Sequence, residues 1–269
     1  MPGAAGRGKG TMTHSAGGGC PPAPGVGMRV RDVRRCLTAS AVILAVLAGT
    51  AGCGSDGEGT VPTPADLAAS LLVVGDLPGE WSVNPGPDDG AVASSGVVDE
   101  ARQEQLPRLE FCDAASTEAR ATAEALRWQA FRQLDLAAAD PIDPPFDRTG
   151  HLTFVQEFLT AGEPATISAT FDALRAGAQA CMGEIPAGEE GPGMASDLAV
   201  PALGDARFGV RTVIEEAGGG AEWIIQNVLV RNGPVLLMLG VVDICMGGVA
   251  PLYDAAAVGA MVRTAVARL

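Results

Sequence analysis

Two strand-like runs joined by a tight turn constrain this chain more than any other feature. Residues 222–231 and 235–243 both read as strands, and Asn232-Gly233 between them is a strong hairpin signal because both residue types tolerate positive φ. The second run opens Val235-Leu236-Leu237-Met238-Leu239, apolar at successive positions, so it must be covered on both faces. It is predicted as a central strand. Residues 207–216 read as a neighbouring strand entered through Leu203-Gly204-Asp205. The fold class expected is α+β, a single domain with a twisted antiparallel sheet and helices packed on it.

The helices follow from apolar spacing. Over residues 164–182, Ile167, Phe171, Leu174, Ala178 and Cys181 draw one stripe, which places Cys181 toward the core, and Gly183 supplies the stop. Asp254 caps a closing helix to Leu269, with Val258, Met261, Val262, Ala265 and Leu269 as its buried stripe. A shorter helix over 64–74 starts behind Thr63, with proline at its first position and Leu67, Leu71, Leu72 and Val74 apolar. A turn, Asp76-Leu77-Pro78-Gly79-Glu80-Trp81, then carries Trp81 toward a surface or the core. Residues 114–126 favour helix.

Two further strands precede the long helix. Residues 127–134 alternate so that Trp128, Ala130, Arg132 and Leu134 share one side, and residues 151–159 place Leu152, Phe154, Gln156 and Phe158 on one face. Residues 84–107, 140–148 and 184–200 are rich in Gly, Pro and acidic residues and read as loops.

The N-terminal quarter sets location. Arg29, Arg31, Arg34 and Arg35 precede an apolar run over 37–49, too short for a comfortable membrane span, which needs ~20 residues. Thr50-Ala51-Gly52-Cys53 resembles the lipobox at which lipoprotein signal peptidase cuts and Cys53 receives diacylglycerol. Leucine usually stands where this chain has Thr50, so an ordinary secretion signal cut nearby or an uncleaved anchor remain open. Met28 fits as the start of such a signal. The organisation expected is therefore an extension over 1–27, disordered or not part of the natural protein, a lipoprotein signal peptide over 28–52, a flexible Gly/Ser/Asp-rich tether over 53–63 and one domain over 64–269.

Charge narrows the partners. Residues 1–52 hold six of the 18 basic residues and one of the 32 acidic ones, so the remainder carries 12 against 31, a net −19, with no lysine. Such a balance repels nucleic acid and anionic lipid headgroups. The only membrane contact expected is the N-terminal lipid.

The order of these features resembles a known family. A helix before Asp76-Leu77-Pro78-Gly79-Glu80-Trp81, a lone Cys112, two strands, a helix ending in Cys181, Leu203-Gly204-Asp205, the hairpin around Arg231-Asn232-Gly233 and a closing helix are together similar to the extracellular sensor domain of PknH-type actinobacterial serine/threonine kinases. The same domain also occurs alone in cell-wall lipoproteins. The resemblance covers about residues 64–269 and implies an antiparallel sheet with helices on it, lining a cleft for an unidentified ligand, with no catalytic residue. It also implies a Cys112–Cys181 disulfide, which persists in an oxidising compartment. Cys245 is then unpaired, unlike family members with two bridges, and reads as a small buried thiol.

The residues offer no catalytic set. His151 is the one histidine beyond the signal, there is no G-x-S-x-G, and a histidine at a strand start is expected to be solvated. No cluster of His, Cys or carboxylates has metal-ligand spacing in the sequence. Asp88-Asp89 and Glu189-Glu190 follow no calcium-loop pattern, and Gly218-Gly219-Gly220 lacks a phosphate-binding context. No enzyme activity, metal or cofactor is expected. The function expected is a membrane-anchored extracytoplasmic lipoprotein with a non-catalytic sensor or ligand-binding domain. Trp81, Trp128, Phe154, Phe158, Trp223 and Met238 are the candidate contacts for an apolar or envelope-derived ligand. The alternative is a structural or protein-partner envelope lipoprotein without a small-molecule ligand.

Overall fold

The computed structural model describes residues 60–83, 95–100, 126–136, 150–185, 191–216 and 220–269. The export signal, Cys53, Cys112 and all but the last residue of the helix expected over 114–126 lie outside the described residues.

The chain enters through α1 (Pro64–Ser70) behind a two-way cap. The Thr63 hydroxyl accepts from the Asp66 N–H, and the Asp66 carboxylate accepts from the Thr63 N–H at 2.9 Å. The helix ends at Ser70, earlier than the apolar pattern suggests, because Leu71 turns extended and drops into the core with Leu72. A 3-10 turn (Val74–Asp76) leads to β1 (Trp81–Val83), then β2 (Ser95–Val97), β3 (Ala130–Leu136), β4 (His151–Ala161), α2 (Pro164–Ala180), β5 (Gly183–Ile185) and β6 (Gly193–Asp197). The chain closes with β7 (Ala206–Glu215), β8 (Ala221–Asn232), β9 (Val235–Met246) and α3 (Ala255–Val266).

Among the described residues, nine strands form one antiparallel sheet in the order β1-β3-β4-β9-β8-β7-β6-β5, with β2 also on β3. The fold class is α+β, as expected, and β9 is central, buried from Val235 to Cys245. Three strands fall where loops were expected. β2 lies within 84–107, β6 lies within 184–200 and β5 starts at Gly183 and runs into that interval, because strands of three to five residues carry too little alternation to stand out from Gly-rich sequence. The hairpin turn sits one residue later than expected. Asn232 pairs with Val235, which leaves Gly233-Pro234 as the loop. Gly233 has φ +57° and proline fixes the next φ negative, the sign pattern of a type II′ turn.

Both faces of the sheet are packed. On one face, α1 and α3 cover a cluster that includes Leu67, Leu134, Val155, Val228, Leu237 and Val262. On the other, α2 seats Ile167, Phe171 and Leu174 against Phe131, Phe158 and Met238. The predicted stripes of α2 and α3 are buried except at their C-terminal ends: Cys181 is the half-buried C-cap of α2 and does not face the core, and α3 stops at Val266, which leaves Leu269 beyond the helix and half-buried. The side-sharing expected for residues 127–134 holds for Ala130, Arg132 and Leu134. Trp128 precedes the strand, escapes its pleat and packs on the α2 face with Phe158 at 4.7 Å.

Leu203-Gly204-Asp205 clamps the central hairpin. Gly204 has φ +57°, and a Cβ there would sit 2.3 Å from the Arg231 carbonyl oxygen, so only glycine fits. The Asp205 N–H donates to that same oxygen at 2.8 Å, and its carboxylate accepts from the Gly233 N–H at 2.8 Å.

Candidate functional site

Five of the six aromatic or sulfur-bearing candidates share one face of the sheet. Phe158, Met238 and Trp128 belong to the cluster under α2, whereas Phe154 and Trp223 form a second cluster further along the same face with Ile225, Val242 and Ile244. Trp81 is elsewhere. It is buried on the opposite face, where its indole N–H donates to the Pro78 carbonyl at 3.0 Å and its ring lies 5.9 Å from Tyr253.

A polar row runs between the two clusters, perpendicular to the strands. The register places Gln133 opposite Gln156, Gln156 opposite Gly240 and Gly240 opposite Asn227, across β3, β4, β9 and β8. Gln156, Gly240 and Asn227 are each flanked two positions away by apolar residues, as Gln156 is by Phe154 and Phe158, and Gln133 lies between Phe131 and Asp135. The pleat therefore turns all of them to the same side. Gln156 donates to Gln133 at 3.1 Å, and Gln133 donates to Asp135 at 2.8 Å. The Asn227 side-chain oxygen is buried without a hydrogen-bond partner, 3.0 Å from the point a Cβ at Gly240 would occupy. Gly240 thus keeps a notch beside an unsatisfied acceptor. Gln133, Gln156 and Asn227 are only half-buried although all four strands are interior, so solvent reaches this strip.

A second cluster lies on the opposite face, near the strand ends. His151 pairs with Cys245 and Thr153 with Asp243 across β4 and β9, so His151, Asp243 and Cys245 converge, and all three are buried. The expectation of a solvated His151 fails here because the strand start is covered rather than frayed. His151 Nδ1 is 3.0 Å from Asp243 Oδ1 and 3.8 Å from Cys245 Sγ. The Thr153 hydroxyl also donates to Asp243 Oδ1, and the Leu252 N–H donates to Oδ2. Gln226 donates to the next carbonyl but one of that loop, Tyr253, at 2.7 Å, so both side chains pin the segment entering α3.

This cluster is not arranged as a nucleophile–base relay. Such a relay places the nucleophile and the orienting carboxylate on different imidazole nitrogens, whereas both partners here address Nδ1. Burial, reinforced by the Asp243 and Glu222 carboxylates, also pushes the Cys245 thiol up to about 12, where it holds its proton. The three donor types and their spacing are, however, those of a metal-ligand set, with all the ligand atoms within 4.8 Å of one another. Cys245 is the free buried thiol the sequence suggested. Sequence spacing concealed the cluster, since His151 is 92 residues from Asp243; the one legible hint was Asp243-Ile244-Cys245, whose i, i+2 ends share a strand face.

Glu157 is a third site that sequence reading passed over. It stands in β4 opposite Arg132, and burial pushes its carboxyl up to about 7 despite the hydrogen bond from the Leu72 N–H and the nearby Arg132 and Arg268. Arg132 donates to the Leu72 carbonyl at 2.6 Å, and Arg268 donates to the Ser70 and Ala69 carbonyls while pairing with Asp76 at 3.1 Å. These groups staple the segment after α1 to the sheet and to the chain's end. Cys181 is not a free thiol and has a partner outside the described residues.

No family model and no curated protein matches this chain. Solved structures do. The chain is similar to the extracellular domain of PknH from Mycobacterium tuberculosis, at 14% identity and a TM-score of 0.39, covering 78% of this chain and 97% of that one. LpqN of Mycobacterium tuberculosis, involved in cell envelope biogenesis, matches at 11% identity and a TM-score of 0.22, over 63% of this chain and 74% of that one. The human StarD13 (DLC2) lipid transfer and protein localization domain matches at 10% and 0.22, over 51% and 81%. Likenesses this loose assign no role to any residue.

Proposed function

We propose that this chain is an extracytoplasmic, lipid-anchored module that binds an uncharged amphipathic ligand on the α2 face of its sheet and carries out no chemistry on it. The observation behind this reading is the half-exposed amide row Gln133–Gln156–Asn227, with the Gly240 notch and the unpartnered Asn227 oxygen, set between clusters containing Phe158 and Met238 on one side and Phe154 and Trp223 on the other. The Gln156 and Asn227 amides can exchange hydrogen bonds with hydroxyl or amide groups of a ligand, the Asp135 carboxylate at the Gln133 end of the row disfavours an anionic one, and the flanking rings suit its apolar parts. The location rests on the arginine-led apolar run and the Cys53 lipobox of the sequence. Among the described residues no helix is long and apolar enough to cross a membrane.

The alternative of a protein-partner lipoprotein draws no specific support. Among the described residues, the exposed large apolar side chains are spread over β1, β2, β6, the end of β9 and two connecting segments.

Native mass spectrometry of the full chain, extracted from membranes in mild detergent, tests the reading. A neutral small molecule should co-purify, and its occupancy should fall at least tenfold in Gly240→Val, whose side chain fills the notch. No bound species, or equal occupancy in that variant, would count against the α2 face as a binding site. Metabolic labelling with a palmitate analogue should mark the chain and be lost in Cys53→Ala.

A further inference from the structure

We infer that His151, Asp243 and Cys245 form a site for one divalent transition-metal ion, with zinc the best match to their chemistry. The site is separate from the amide row, because it lies on the opposite face of the sheet.

The argument begins with donor type. One thiol sulfur, one imidazole nitrogen and one carboxylate oxygen form the mixed soft-to-hard set that zinc accepts, whereas calcium and magnesium take oxygen ligands almost alone. Spacing agrees. Ligand atoms at zinc bonding distances in a tetrahedron are roughly 3.3–3.8 Å apart, and the pairs at His151 Nδ1 measure 3.0 Å to Asp243 Oδ1 and 3.8 Å to Cys245 Sγ. Small shifts of two side chains would centre an ion between them.

Charge favours a divalent ion. Asp243 is buried with Thr153, His151 and the Leu252 N–H around it. An M²⁺ ion that takes up the Asp243 carboxylate and a Cys245 thiolate leaves the buried centre neutral, and a neutral imidazole completes three ligands without changing that balance. Binding therefore releases the Cys245 thiol proton to solvent and moves the imidazole hydrogen to Nε2, so that Nδ1 offers its lone pair. The Leu252 and Thr153 hydrogen bonds already hold the carboxylate in place, as partners of metal ligands commonly do. A fourth position would fall to the Thr153 hydroxyl or to water.

An entry route is at hand. Cys245 is one residue from the end of β9, where Met246 is exposed and Gly247 and Gly248, both at positive φ, form the turn beyond it. Opening that turn exposes the site without unravelling the sheet.

Cobalt(II) titrated into the purified full chain, oxidised and stripped of metal, tests the inference. One equivalent should bind with a thiolate-to-cobalt charge-transfer band, and zinc should displace it. The band should vanish in Cys245→Ala, and zinc affinity should fall roughly tenfold or more. X-ray absorption at the zinc edge of the unmodified chain carrying one equivalent should show one sulfur with nitrogen or oxygen neighbours, a readout that does not depend on any variant folding. Absence of binding, a band that persists in Cys245→Ala, or a zinc shell without sulfur would each overturn it.

Discussion

The Glu157 carboxylate accepts a hydrogen bond from the Leu72 N–H at 2.6 Å, joining residues 85 positions apart. Its other oxygen, Oε1, is buried without a partner. Burial raises this carboxyl from 4.5 to about 7 in the folded protein, so between those values the folded chain holds a proton that the unfolded chain has lost. Stability is therefore greatest below about pH 4.5 as far as this group is concerned, declines as pH rises to about 7 and is flat above it. The decline attributable to Glu157 should be on the order of 3 kcal/mol. Urea midpoints measured across that range should follow it, and Glu157→Gln should remove most of the slope.

Asp243 satisfies donors from three places in the chain, so its loss strands all of them. Asp243→Ala leaves the Thr153 hydroxyl, His151 and the Leu252 N–H without their acceptor in the core and frees the segment entering α3. Denaturant unfolding of the metal-free protein should show a loss of roughly 3 kcal/mol.

Gly204→Ala should be among the most damaging single-methyl changes in the chain. The new Cβ would meet the Arg231 carbonyl at 2.3 Å and adopt positive φ, so the hairpin clamp must move. A loss of about 3 kcal/mol is expected, against about 1 kcal/mol for Asp205→Ala, which removes one exposed hydrogen bond to the Gly233 N–H. Thermal unfolding of the two variants side by side checks the order; equal losses would mean that the glycine is not the constraint.

A Cys112–Cys181 bridge is our reading of the partner of Cys181. A non-reduced digest should yield the two peptides joined, with the Cys245 peptide unlinked, and reduction should lower stability by about 4 kcal/mol through the long loop released. Recovery of Cys245 in a mixed-disulfide peptide would sink this pairing.

The sequence alone determined the elements whose pattern is long and self-consistent. The α2 and α3 stripes, the central run from Val235, and the Thr63 and Asp254 caps were legible because apolar spacing and capping chemistry are local properties, set within a few residues. The tertiary structure alone decided what came from strand register. Gln133, Gln156, Gly240 and Asn227 form a row, and His151 meets Asp243 and Cys245, only because β3, β4, β9 and β8 align where they do. Register depends on pairings between distant segments, and a one-residue slip would turn every one of these side chains to the other face. The same distance hid Glu157, whose partners Leu72 and Arg132 reach it only once α1, β3 and β4 are packed together.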